Sequence, residues 1–354
     1  MKIAIIGTVG VPASYGGFET LVENLIEDDS ERYTVYCSGP HYAERVTAYK
    51  NANLIYIPLN ANGVQSIVYD IWSIIHAVLT GHKNLLVLGT SGAIVLPLVK
   101  LFCPTVNVVT NIDGLEWKRQ KWKGFAKVFL KFSERLAVKF SSIVVADNEA
   151  IAKHIETNYS STCETIAYGG DHAYIEKILL QTSQIAFGTE RYAFGLCRIE
   201  PENNVHLILD AFSDSKINLI FVGNWKASDY GRQLIEHCST VSNIKLLDPI
   251  YDLEALAFYR KNCDFYVHGH SAGGTNPSLV EMMHFDKPIV AFDCVYNRST
   301  MEDKGLYFSS SSSLLKILNN LDFLGSGEEL GAIARRRYTW KVVRDQYRKL
   351  FQTN

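Results

Sequence analysis

Three scarcities narrow the reading of this 354-residue chain before any motif is considered. No run of about 18 apolar residues occurs, so no segment is expected to span a bilayer. The nearest stretch, Ile67 to Leu79, is interrupted by Asp70 and His76. The seven cysteines are scattered, odd in number and never arranged as CxxC, which fits reduced thiols in a cytosolic protein. Net charge is small as well: the balance of −2 offers no overall argument for nucleic acid or for a membrane, so any such argument must be local. The opening MKIAIIG is too quickly broken by glycine to read as a signal peptide and reads as a first β-strand.

What the chain does have is core. Hydrophobic residues make up 47% and charged residues 20%, the balance of a soluble globular protein, and the length suits two domains better than one. Apolar runs at 2–7, 33–37, 54–58, 84–89, 106–111, 142–147 and 165–168 alternate with helical patterns at 17–27, 66–79, 92–102 and 125–140. Most runs are continuous rather than alternating, as expected for parallel strands buried on both faces. After a polar stretch at about 171–190 the pattern restarts. Strands are expected at 191–197, 218–223, 243–248, 264–269, 288–293 and 305–309, with helices at 203–213, 229–238, 252–261 and 278–285. The serine run 309–313 reads as a loop leading into a helix at 313–320. The expectation is α/β: two doubly wound, Rossmann-like domains facing across a cleft.

Two glycine-rich loops stand where such folds bind ligands. The first, GTVGVPASYGGFETLVENL, follows the first strand, and Gly16 and Gly17 would let backbone amides approach a phosphate or sugar at a helix start. Its spacing is not GxGxxG, so a dinucleotide fingerprint is disfavoured; the glycines could also merely make a tight turn. The second is HGHSAGGTNPSLVEMM, residues 268–283. Here Gly273, Gly274, Thr275 and Asn276 precede Pro277, which suits a first helical turn, and the amides of 274–276 would make an anion site. Glu281 reads as a lone acid one turn further on, placed for the hydroxyls of a ribose rather than for phosphates, or else simply exposed on its helix. Arg198, closing the strand FGLCR before EPENN, offers fixed donors for a diphosphate.

These stretches, together with NIDGLEWKRQKW, ADNEAIAKHI, TIAYGGD and RIEPENNVHLILDAF, resemble the GT-B glycosyltransferases of family 4, most closely a bacterial rhamnosyltransferase-like subgroup. The resemblance implies an acceptor-binding domain over 1–172, a nucleotide-sugar-binding domain over 173–335 and a terminal helix in 336–354 packing back on the first domain. It implies a retaining transferase that needs no metal or other cofactor, its nucleotide-diphosphate sugar being substrate. Glu281 resembles the second glutamate of the family's paired motif, and the first falls at Gly273. Arg198 matches the diphosphate arginine, while Asn203 stands where a lysine is usual and Val9 where an arginine is usual. Asp113 falls where the family commonly places a histidine or acid touching sugar or acceptor, although an aspartate after a strand is also an ordinary helix cap. Glu19 could bind acceptor hydroxyls or complement its helix dipole. His268 or His270 could bond sugar or diphosphate, or be a satisfied core histidine.

Residues 117–140, WKRQKWKGFAKVFLKFSERLAVKF, hold eight basic residues against one acid, with aromatic residues interleaved. That is the pattern of a segment on an anionic membrane surface, and also of a crossover helix with a solvated face. The combined expectation is a cytoplasmic protein, peripheral on the inner face of the plasma membrane. It would transfer L-rhamnose from dTDP-L-rhamnose to a lipid-linked saccharide in surface polysaccharide assembly, with no role for nucleic acid. A UDP-hexose or GDP-sugar donor, a sugar-nucleotide epimerase and a non-catalytic binding protein are the alternatives.

Overall fold

A computed structural model describes residues 1–13, 16–27, 32–112, 114–115, 117, 124–179 and 190–352. The chain divides into two compact units, one formed by Met1–Tyr168 with Trp340–Asn354 and the other by Gly169–Thr339.

The first unit is built on an eight-stranded sheet. Its strands are β1 (Lys2–Ile6), β2 (Arg32–Ser38), β3 (Ala48–Tyr49), β4 (Ala52–Ile57), β5 (Asn84–Leu88), β6 (Asn107–Asn111), β7 (Ile143–Ala146) and β8 (Glu164–Thr165), in the spatial order β3-β4-β2-β1-β5-β6-β7-β8. Every pairing is parallel except that of the short edge strand β3 with β4. The interior strands earn their place by composition: Ala4, Ile5, Ile6, Leu85, Val87 and Val108 are almost wholly buried. Each of the Ile, Leu and Val side chains among them contributes about 1.5–3 kcal/mol of transfer free energy. Helices α1 (Gly17–Leu25), α2 (Gln65–Leu79), α3 (Leu96–Phe102), α4 (Gly124–Phe140) and α5 (Glu149–Tyr159) connect the strands, and α13 (Trp340–Gln352), last of the thirteen α-helices among the described residues, belongs to this unit.

The second unit repeats the plan with six parallel strands. They are β9 (Tyr192–Leu196), β10 (Asn218–Val222), β11 (Ile244–Leu247), β12 (Phe265–His268), β13 (Ile289–Phe292) and β14 (Leu306–Phe308), in the order β11-β10-β9-β12-β13-β14. Helices α6 (Val205–Ser213), α7 (Asp229–Cys238), α8 (Leu253–Asn262), α9 (Pro277–Met283), α10 (Val295–Thr300), α11 (Ser311–Leu318) and α12 (Glu328–Arg337) complete it. Its core joins Phe212, Phe221, Trp225, Phe265 and Phe308. The strand order reverses beside β9, so the loops after β9 and β12 emerge at neighbouring strands, the usual ligand position in such sheets.

Several elements differ from the sequence expectation, each for a local reason. The helix expected at 92–102 splits into a 3-10 turn at Ala93–Val95 and α3, because Pro97 has no N–H for a continuous ladder. The helix expected from 203 starts at Val205, after Asn204 takes a left-handed conformation with φ 49°. The serine run does not lie outside its helix: Ser310 and Ser313 form a reciprocal capping box that starts α11. Helix α5 was not expected, and Asn148 caps it by accepting from the Ala150 N–H at 2.9 Å.

Candidate functional site

In the second unit, the loop after β9 and the loop after β12 are stitched together. Asn203 is buried at 4% exposure and does the joining. Its Nδ2 donates to the Arg198 carbonyl at 2.6 Å, which fixes the amide's orientation, so its Oδ1 is the acceptor for His270 Nδ1 at 2.7 Å. That hydrogen bond keeps a proton on Nδ1 of His270. Asn204 Nδ2 donates to the Gly269 carbonyl at 2.9 Å, and Ser271 donates through both N and Oγ to the Glu202 carbonyl, at 3.1 and 2.7 Å. The approach is close enough to require glycine: a Cβ on Gly269 would lie 2.1 Å from the Asn203 carbonyl oxygen.

This frame leaves the Arg198 guanidinium at the protein surface, its side chain 42% exposed and only loosely paired with Glu200 at 3.7 Å. Gly273 has φ +109°, and its absent Cβ would point to within 3.3 Å of His270 Nε2. A side chain there would press on that imidazole, which gives the glycine at this position a physical reason. Gly274 and Thr275 are buried, and Asn276 caps α9, its Oδ1 accepting from Ser278 N at 3.0 Å and Ser278 Oγ at 2.8 Å. The Tyr266 hydroxyl reaches both the Leu196 carbonyl, at 3.0 Å, and Ser278 Oγ, at 3.3 Å. It therefore ties the end of β9 to the start of α9. His268, at 1% exposure, has no hydrogen-bond partner for Nε2 among the described residues. Burial, assisted by the neighbouring His270, holds it well below the usual histidine range, so it is neutral.

Glu281 is not a lone acid. Its Oε2 pairs with Nη2 of Arg260, a residue of α8 that is 1% exposed, and its Oε1 lies 3.5 Å from His172 Nε2. Gly170 presses on the same turn, since a Cβ there would come 2.7 Å from the Glu281 nitrogen. Neither Arg260 nor His172 was singled out in the sequence. His172 directly follows the quoted TIAYGGD, whereas Arg260 comes from a different helix with no motif around it.

The first unit arranges its glycine loop differently. Gly16, with φ 136°, caps α1 and Gly17 opens it. Glu19 turns back over the loop, its Oε1 accepting from the Val9 N–H at 2.8 Å and the Thr8 hydroxyl at 3.0 Å. A Cβ on Gly16 would lie 1.9 Å from the other carboxylate oxygen. Glu19 is buried, at 8% exposure, and braces the loop. Asp113 lies outside the described residues, as do Lys118, Arg119, Lys121 and Lys123 of the basic segment. The structure thus brings Arg198, Asn203, His270 and Gly273 together, and separately joins Glu281 to Arg260 and His172.

Residues 1–171 match a family described as Domain of unknown function (DUF1972), and residues 180–313 match the family described as Glycosyl transferases group 1. Among solved structures the chain is similar to sucrose-phosphate synthase from Thermosynechococcus elongatus, with 15% identity, a TM-score of 0.82 and full coverage of both chains. It is similar to Anabaena HepE in complex with UDP-glucose, with 17% identity, a TM-score of 0.75 and full coverage of both. The N-terminal domain of Candida albicans trehalose-6-phosphate phosphatase matches at 10% identity and a TM-score of 0.73, covering 99% of this chain and 96% of that one. No curated protein matches the chain. The two parallel-sheet, Rossmann-like domains are those of the GT-B fold.

Proposed function

We propose that this group 1 glycosyltransferase is a retaining enzyme of family 4 that moves L-rhamnose from dTDP-L-rhamnose to a hydroxyl of a lipid-linked saccharide, without a metal, at the inner face of the plasma membrane. The observation that carries the reading is the Arg198–Asn203–His270 frame. It fixes the backbone of Arg198 just past the end of β9, beside the loop after β12, and leaves the Arg198 side chain 42% exposed. A diphosphate leaving group needs a cationic donor there, because negative charge grows on its bridging oxygen as the glycosidic bond breaks. In a same-face transfer that oxygen helps take the proton of the incoming hydroxyl, so no carboxylate nucleophile is required. Glu281 serves as the acceptor for ribose hydroxyls: an ionised carboxylate has about four lone-pair sites, so pairing with Arg260 leaves capacity for a diol. Glu19 and Asp113 are the candidates on the acceptor side, with Glu19 acting by shaping its loop.

A UDP-hexose is the second reading for the donor, favoured by the similarity to HepE, whose solved complex contains UDP-glucose. Calorimetric titration with dTDP, UDP and GDP, followed by turnover with the matching sugar nucleotides and extracted lipid-linked acceptors, decides between the donors. Tight dTDP binding with rhamnosyl transfer supports the first reading. UDP binding with hexosyl transfer replaces it, and the same turnover in the presence of a chelator tests the need for a metal. Donor turnover without acceptor, yielding an isomeric sugar nucleotide, would replace transfer with epimerisation.

A further inference from the structure

The first unit leaves an apolar face open on consecutive helices. On α2 and the residue before it, Val64, Val68, Trp72, Ile75 and Leu79 recur at steps of three and four, one helical stripe, and are 42–81% exposed. The neighbouring helix α3 exposes Leu98, Leu101 and Phe102, and α4 exposes Val128 and Phe132. The three helices adjoin: the 3-10 turn Ala93–Val95 touches both α2 and α4, and α3 packs on α4. Solvent exposure of so many large side chains on adjoining helices marks a docking surface rather than ordinary scatter.

The charges on the same helices say what docks there. Their only acids are Asp70 and Glu134, and both are buried. Asp70 accepts from the Ser91 hydroxyl at 2.7 Å. Glu134 is taken up inside, accepting from Trp117 Nε1 at 2.7 Å, His154 Nε2 at 3.0 Å and the Tyr159 hydroxyl at 2.7 Å. The exposed ionisable groups of α4 are all cations, Lys127, Lys131, Arg135 and Lys139, spaced four apart beside Val128 and Phe132. A second copy of the chain seated on this face would set cations against cations. An anionic bilayer satisfies both the apolar and the basic side chains.

We propose that the α2–α3–α4 face seats the protein on an anionic lipid bilayer. Trp72, Leu79, Leu101 and Phe102 enter the boundary between headgroups and acyl chains, while the α4 cations lie over the lipid phosphates. The contact thus extends well beyond residues 117–140, with its apolar part on α2 and α3. It rests on the proposed lipid-linked acceptor for its purpose, yet its test needs neither donor nor acceptor, so the two can fail separately.

The test is co-sedimentation of the full chain with vesicles of phosphatidylcholine mixed with phosphatidylglycerol, and with phosphatidylcholine alone. The native protein is expected to sediment with the anionic vesicles. Trp72→Ser combined with Leu79→Ser is expected to weaken partition roughly tenfold or more, since each side chain loses its apolar burial. Replacing Lys127, Lys131, Arg135 and Lys139 with glutamine is expected to abolish the preference for anionic vesicles. Circular dichroism establishes that both variants remain folded, and quenching by brominated lipid, diminished in Trp72→Phe, reports insertion at that position. Equal sedimentation of native and serine variants overturns the proposal. So does a native dimer in light scattering that Trp72→Ser and Leu79→Ser dissociate without any effect of vesicles.

Discussion

The two glycine loops look alike in sequence and are spent differently. Each follows a strand, supplies glycines at the start of a helix and places a glutamate within that helix. In the first unit Glu19 folds back onto Val9 and Thr8, so the acid closes its own loop. In the second, Glu281 is held from behind by Arg260 and His172, and the loop is closed instead by the neutral amide Asn203 and by Asn204. Glu19, engaged by a backbone amide and a hydroxyl of its own loop, braces that loop. An acid engaged through a buried arginine keeps lone pairs for another partner. That difference, and not the glycine pattern, distinguishes the two loops.

The contrast is most severely tested at the Arg260–Glu281 pair. Replacing Glu281 with Ala strands the buried Arg260 guanidinium and should cost about 3–5 kcal/mol in urea unfolding, whereas Arg260→Met leaves the partly exposed Glu281 and should cost less. The double replacement should recover part of that loss, and strictly additive effects would show that the two charges do not meet. Next in size, Glu19→Ala leaves the Val9 N–H and Thr8 hydroxyl short of an acceptor and should cost about 2–3 kcal/mol. Nucleotide affinity should be unchanged, and a marked loss of affinity would erase the distinction between the two acids.

Acid should then act on the second loop through His268. Its imidazole is held below the ordinary range, so the unfolded chain takes up a proton that the folded chain resists. The stability this histidine contributes is complete above the unfolded value of about 6.5 and is lost progressively as pH falls below it. His268→Gln should flatten that part of the profile of unfolding midpoint against pH. The smallest change in stability, under about 0.5 kcal/mol, is expected for Arg198→Ala, because the guanidinium is half exposed and loosely paired. Its kcat should nevertheless fall more than its KM rises, as for a group that meets more charge in the transition state. A KM effect alone would make Arg198 a simple binding residue.

Much of the fold was legible in the sequence because buried parallel strands announce themselves as unbroken apolar runs, of which KIAII and NLLVL are the clearest. The edges were less so. Strand β3 is two residues long, and α5, EAIAKHIETNY, mixes polar and apolar residues too evenly for its burial of Ile151 and Ile155 to stand out. At the candidate site the residues in contiguous motifs, Arg198, Asn203, His270 and Gly273, could be picked out, because each motif is read along the chain. Arg260 could not. It meets Glu281 across 21 residues and from another helix, and a buried arginine has the same letter as an exposed one. The same limit explains Glu19, whose bracing role depends on donors 10 and 11 residues away.

The helix α13 sets a timetable for the first unit. Its Trp340, Val343, Tyr347, Leu350 and Phe351 are buried there, and the Tyr347 hydroxyl accepts from Asn111 Nδ2 at 2.7 Å, at the end of β6. The sheet that is translated first is therefore finished last, after all of Gly169–Thr339 has been made. At about 5–20 residues per second that interval is roughly 10–30 s. The second unit, unbroken in sequence, can close during it, while the earlier strands wait with an apolar groove uncovered. Chaperone occupancy on ribosome-bound chains should peak in that window and fall once α13 has emerged.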